Sequence, residues 1–213
     1  MRKICILLSL FVTSVSADTG AYDPLADIVS TTKKEISVKG TVQEAKDELV
    51  SSKALKLKKG YWQFFQGVKD SKPGEACTAV YIQDDKLITI IGPGKEYKGA
   101  LLGFIAIEPP NDTFPRPDDE KGIQKVSVTL KQGSDSPVTI QAFNRTVVPL
   151  TDELTFAVPT IKDVLDNMED KLRFQIDYEG KRAFDLEWHS GHAARDVLKR
   201  CLKGEDVSKQ EVL

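Results

Sequence analysis

The chain has 213 residues, with 30 basic and 32 acidic side chains, 40% hydrophobic residues and three cysteines. That length suits one domain with an extension, or at most two small domains. The mildly acidic balance without a basic cluster excludes nucleic acid as a natural partner, and no segment after the first seventeen residues is long and apolar enough to cross a bilayer.

Arg2 and Lys3 precede an apolar run from Ile4 to Val12, and Val15-Ser16-Ala17 follows. A basic start, a short hydrophobic centre and small residues describe a secretory signal peptide cleaved after Ala17. The run is too short for a permanent anchor. Cys5 lies inside it rather than at its end, which argues against lipid attachment there. Cleavage removes Arg2 and Lys3 and no acid, so 28 basic side chains face 32 acidic ones, a net of −4. The expectation is a periplasmic or secreted protein with no integral membrane segment. It divides into a signal peptide (1–17), an N-terminal extension that is partly helical or disordered (18–58), a β-rich domain (59–204) and a C-terminal tail (205–213).

Within the extension, Asp23-Pro24 suggests a turn and Glu35 to Val38 a short strand. Thr41-Val42-Gln43-Glu44 has capping-box spacing, which predicts a helix over about 42–54. It is expected to end before the basic patch of Lys53, Lys56, Lys58 and Lys59, and nearby acids make that patch a solvated face.

From Gly60 the punctuation becomes regular. Strands are predicted over Tyr61 to Val68, Cys77 to Ile82, Leu87 to Ile91 and Ala100 to Ile107, separated by Lys72-Pro73-Gly74, Asp84-Asp85 and Gly92-Pro93-Gly94. Val126, Val128 and Leu130 alternate with polar residues, as do Val138, Ile140 and Ala142, and Leu154 to Val158 is a further run. Strands of this length with turns every ten or so residues mean antiparallel β structure. Between the fourth and fifth lies the irregular stretch Glu108 to Glu120, stiffened by Pro109, Pro110, Pro115 and Pro117. Phe114 and Arg116 make it a candidate binding loop, against the plainer alternative that the ring packs onto its own domain.

One helix interrupts the strands. Ile161, Val164, Leu165 and Met168 follow the i, i+3, i+4, i+7 stripe, with Thr160 as N-cap and Asp163 adding negative charge to the first turn. A hairpin follows. Leu172, Phe174, Ile176 and Tyr178 alternate with polar residues, and so do Phe184, Leu186 and Trp188. Cross-strand partners project to one side, so the two apolar sets share a face only if an odd number of residues connects them. A three-residue loop, Tyr178-Glu179-Gly180, satisfies this and puts Gly180 where a left-handed residue is wanted. Ser190 is then placed to cap a helix from Gly191 to Leu202, with Gly204 as its stop. Ala194, Val197, Leu198, Cys201 and Leu202 fall on its inward face. The expected fold is α+β: an antiparallel β-rich sandwich or partly open barrel with two packed helices.

Two cysteines survive cleavage, Cys77 and Cys201. In an oxidising compartment an even pair reads most simply as a disulfide, with two separate buried thiols as the alternative. Neither has a neighbouring histidine or second cysteine that would mark a catalytic thiol.

Several short matches dissolve on inspection. Asp18-Thr19-Gly20 has no second copy, Ser30-Thr31-Thr32-Lys33 lacks the companion elements of acyl-serine enzymes, and Gly92-Pro93-Gly94-Lys95 lacks full phosphate-loop spacing. Asn111-Asp112-Thr113 and Asn144-Arg145-Thr146 are glycosylation sequons. One constellation remains. Asp185, Glu187 and His189 project from the face opposite Phe184, Leu186 and Trp188, and His192 follows at the start of the last helix. Two carboxylates and two imidazoles are a donor set for zinc or a similar divalent ion, or for general-base chemistry. The plainer reading is the solvated face of an amphipathic strand.

In order, a tryptophan strand (Trp62), a cysteine opening the next strand (Cys77), β-hairpins, a helix before a hairpin and a final small-residue helix resemble the invasion-associated locus B family. Phe184-Asp185-Leu186-Glu187-Trp188-His189-Ser190-Gly191-His192-Ala193-Ala194 is similar to its terminal strand and helix. The resemblance covers roughly 60–202 and implies a bacterial protein exported to the periplasm or cell surface. The family's mid-domain cysteine pair has no counterpart near Phe143 to Leu154. No catalytic residues carry over from it.

The function expected is an exported, envelope-associated or periplasmic binding module without catalysis or cofactor, acting on an envelope or surface protein. Its rivals are a metal-dependent hydrolase using Asp185, Glu187, His189 and His192, and an accessory subunit of an export machine docking through the N-terminal segment.

Overall fold

The computed structural model describes residues 52–67, 71–95, 97–107, 113–118, 122–148 and 151–213. The signal peptide, the strand at 35–38, most of the helix at 42–54 and the sequon at Asn111 lie outside the described residues. Ten strands form one antiparallel sheet: β1 (Tyr61–Gln66), β2 (Cys77–Gln83), β3 (Lys86–Ile91), β4 (Ala100–Ile107), β5 (Gln124–Gln132), β6 (Val138–Val148), β7 (Thr151–Val158), β8 (Leu172–Tyr178), β9 (Lys181–Trp188) and β10 (Glu211–Val212). Among the described residues three helices accompany them: α1 (52–59), α2 (Ile161–Asp166) and α3 (Gly191–Leu202). The fold is α+β, and the sheet curls into a half-barrel.

Strand order across the sheet is β10-β1-β2-β3-β4-β7-β6-β5-β8-β9. The first four strands meander. The chain then skips two positions and returns through β5, β6 and β7 to pair with β4, and α2 carries it back to β8. Thr160 caps α2 as the spacing predicts, its hydroxyl accepting from the Asp163 N–H at 3.1 Å. Curling brings the sheet's ends together. The Trp62 ring on β1 lies 5.2 Å from that of Trp188 on β9, and its Nε1–H donates to His189 O at 2.7 Å.

The apolar pattern of each strand follows from how many of its faces are covered. On β8 and β9 one face is buried, and the sequence alternates. On β2 and β3 the runs are continuous, because inward residues such as Ala79, Tyr81, Ile88 and Ile90 join the main core while Val80, Ile82, Leu87 and Ile91 join a second cluster on the other side. Leu57 of α1 packs against that second cluster. The helix runs through the basic patch rather than ending before it. Gly60 stops it at φ +83, where a Cβ would collide with the Tyr81 hydroxyl.

Parity in the last hairpin holds, but the loop differs from expectation. Glu179 and Gly180 alone form it, both at positive φ as a two-residue I′ turn requires, and Tyr178 pairs with Lys181. A bulge supplies the odd residue: Asp177 faces Arg182, Ile176 faces Phe184, and Ala183 is the extra one. Phe184, Leu186 and Trp188 are therefore buried as the alternation requires.

Helix α3 spans the predicted residues and buries Ala194, Val197, Leu198 and Cys201. Its start is not the expected cap. Ser190 sits at φ +56 and its side chain makes no capping bond, while the Gly191 N–H donates to Asp170 O at 2.9 Å. Gly204 does end the helix, at φ +94. Cys77 and Cys201 are bonded, with Cα atoms 5.8 Å apart, and this ties α3 to β2.

Candidate functional site

The outward face of β9 forms one wall of an open cleft of about 670 Å³. The opposite wall is the β2–β3 turn, Gln83 to Lys86, and the chain entering β8, Asp170 and Lys171, closes one side. These segments meet because the sheet curls. The cleft is polar, and most of its side chains carry charge.

Asp185 is its most heavily bonded carboxylate. Arg173 holds it with two hydrogen bonds, at 2.7 and 2.9 Å, and Gln175 and Arg182 add further ones at 3.0 and 3.1 Å. The Arg173 hydrogen bond holds its carboxyl below the usual aspartate range; burial opposes it, and the Gln175 hydrogen bond and the charges of Arg173 and Arg182 add smaller lowering effects. Across the cleft Lys86 pairs with Asp85 at 3.0 Å. Glu187 stands exposed on the same wall as Asp185.

Tyr81 lies at the bottom, fully buried by its neighbours. Burial pushes its phenol up to about 12, with the negative charge of Glu187 adding to the effect and a backbone hydrogen bond from His189 opposing it. It is therefore a neutral group throughout the physiological range. His189 stands edge-on to this ring at 5.4 Å. Its Nε2 is 2.8 Å from Lys59 O and its Nδ1 is 3.0 Å from Ser190 Oγ, which in turn donates to Leu213 O at 2.9 Å. The same imidazole borders a second cleft of about 600 Å³, lined by Lys53, Leu55, Lys56 and Lys59 of α1 and by Leu213.

The four residues expected as a metal or catalytic set are thus placed differently from one another. Asp185, Glu187 and His189 share the cleft wall, whereas His192 is exposed on α3 and does not line the cleft. Asp185 is committed to two arginines and both His189 nitrogens are engaged. Among the described residues no group of three or more such side chains is close enough to hold a metal ion. The Ser190–His189 pair is not arranged for nucleophilic catalysis, because the hydroxyl directs its proton at Leu213 and the far ring nitrogen faces a main-chain carbonyl rather than an orienting carboxylate.

In the loop before β5, Phe114 is 4% exposed and belongs to the main core. Arg116 keeps part of its side chain at the surface, and its Nε donates at 2.6 Å to buried Asp152. Phe114 thus offers its ring to the core rather than to a partner. The sequon residue Asn144 is wholly buried within β6, and neither its amide oxygen nor its nitrogen has a hydrogen-bond partner among the described residues. In this fold it is closed to a glycosylating enzyme.

Tyr81, Lys59 and the β2–β3 turn are absent from the site residues read from the sequence. Tyr81 is one apolar residue in a continuous strand run, and only the curl of the sheet brings it to His189. No family model, curated protein or solved structure matches this chain.

Proposed function

We propose that this protein is an exported, non-catalytic binding module of the cell envelope, and that it takes its partner in the polar cleft between the β2–β3 turn and β9. The observation that carries this reading is the charge left over in the cleft. Arg173 engages Asp185 and Lys86 engages Asp85, which leaves Asp84, Asp170 and Glu187 facing Lys171. A partner bearing net positive charge, such as a basic protein segment, complements that surface. Strand β9 holds Glu187, while Asp84 sits in the β2–β3 turn and Asp170 and Lys171 in the chain entering β8. The signal-like N-terminus, the disulfide and the resemblance to the invasion-associated locus B family support export to an oxidising compartment.

Binding of lysine-rich, glutamate-rich and mixed-charge peptides to the folded protein tests the reading. The lysine-rich peptide should bind best and weaken with salt, and Glu187→Lys should reduce its affinity by roughly tenfold or more. Preference for the glutamate-rich peptide, or indifference to Glu187→Lys, overturns it.

A further inference from the structure

We infer that the cleft beside α1 is a docking surface for a membrane that carries anionic headgroups. This cleft, about 600 Å³ in volume, shares only His189 with the polar cleft described above. α1 presents to it Ser52, Leu55, Lys56 and Lys59, the i, i+3, i+4, i+7 spacing of one helix face, and Lys53 joins them. Leu57 belongs to the opposite side of the helix and packs against the second apolar cluster.

The lining combines exposed apolar groups with positive charge. Leu55 is 54% exposed and Leu213 72% exposed, and both border the same cleft. Two leucines left in water at one place, among lysines, make an amphipathic patch of the kind that seats at a lipid interface. The sequence reading balances the lysines of this helix with nearby acids, but in the fold only Lys56 finds one. It pairs with Glu211 and lies 4.2 Å over the Tyr61 ring. Lys53 and Lys59 have no carboxylate within salt-bridge distance among the described residues. Lys58, also exposed, adds a further positive charge from the same helix. The chain as a whole carries a net charge of −2, so the patch inverts the sign of its surroundings.

The helix is held firmly enough to act as a platform. Leu57 O accepts from the Asp84 N–H at 3.1 Å and Lys58 O from the Gln83 amide at 3.0 Å, which ties the end of α1 to the β2–β3 turn. The chemistry of the lining selects the occupant. Among the described residues it holds no arginine and no side-chain amide, the groups that fix a carboxylate in one geometry. Lysines on long stems are mobile point charges that can follow fluid phosphates, while the leucines enter the acyl boundary. A membrane therefore fits this surface better than an acidic peptide does.

Vesicle flotation tests the inference, with phosphatidylcholine alone and with about 30% phosphatidylglycerol added. The protein is used in its exported form, so that the apolar run from Ile4 to Val12 does not itself drive partitioning. Binding should require the anionic lipid and weaken as salt rises from about 0.05 to 0.5 M. Lys53→Gln with Lys59→Gln should lower the partition coefficient about 25-fold, at about fivefold per lysine, and Leu55→Ser about tenfold. All three positions are exposed, and urea unfolding should show each variant folded as the parent is. Leu55→Trp should shift its emission to the blue on the anionic vesicles, since Trp62 and Trp188 are buried and contribute no such change. Equal binding to neutral vesicles, or partitioning indifferent to the lysine pair or to Leu55, overturns the inference. So does failure to bind anionic vesicles while a free glutamate-rich peptide binds through Lys53 and Lys59, which assigns the cleft to a protein partner. Failure to bind either overturns it as well. The lysine-rich peptide tests other residues, so the two results fail independently.

Discussion

Replacing both Cys77 and Cys201 by alanine tests how the cross-link stabilises the fold. The two sulfurs join residues 124 positions apart, and both side chains are buried. In the chain-entropy description, closing a loop of that length removes about 16 cal/mol/K from the unfolded ensemble, or about 5 kcal/mol at 25 °C. Alanine is the right substitute, since serine would bury hydroxyls without partners and add a desolvation cost of its own. In the native state α3 keeps Ala194, Val197 and Leu198 in the core, so its docking should survive. Urea unfolding of the double variant should then show stability lower by about 3–5 kcal/mol, with a steeper denaturant dependence because the freed unfolded chain exposes more surface. Amide exchange in α3 should stay coupled to global unfolding. A loss below about 1 kcal/mol, or α3 exchanging freely while the sheet stays protected, would refute the reasoning. The second outcome would mean that the bond holds the helix down rather than restricting the unfolded chain.

Trp188→Ala should cost about 3–5 kcal/mol in urea unfolding, because the ring packs against Trp62 and Phe174 and its Nε1–H donates to Glu169 O; less than about 1 kcal/mol would mean that the ring is not core. Asn144→Leu should raise stability by about 1–3 kcal/mol, since it removes at similar volume a buried amide without a partner among the described residues, and destabilisation would reveal a bound water or other partner. The Tyr81 phenol should stay protonated in ultraviolet titration until near pH 12. The unfolded phenol ionises near 10, so between those values the folded state binds more protons and stability should fall as pH rises. His192→Ala should shift stability by no more than about 0.5 kcal/mol, as at other exposed positions.

The elements most legible in the sequence were those whose burial is set locally. Alternation marked β8 and β9, the i, i+4 stripe and Thr160 marked α2, and the inward face of α3 put Cys201 where Cys77 could reach it. Elements that depend on distant chain were read poorly. β10 is two residues long and exists because β1 offers an edge, so no pattern announces it. Ser190 has the right chemistry for a cap, but its hydroxyl is drawn to His189 and Leu213 instead. The last hairpin carries a two-residue loop and a bulge rather than a three-residue loop, because parity constrains the sum of turn and bulge and cannot divide it between them. Alternation put Asp185, Glu187 and His189 together on the outward face, while the opposite wall of the cleft required the sheet's curl, and strand order is not written in any one strand.

The contact between Trp62 and the His189 carbonyl spans 127 positions, and it closes the curl. During synthesis β1 to β4 are therefore made long before the hairpin and helix that cover their inner face. That early meander is apolar on both sides, and for most of the chain's production it has an open edge and an unpaired thiol. Such a species is slow to mature and prone to stick to its own kind. Ribosomes that stop before residue 190 should release chains that aggregate or are degraded rather than smaller, working versions of the domain. A carrier that keeps the first half extended until the last thirty or so residues arrive would raise the yield more than any stabilising substitution in the finished sheet.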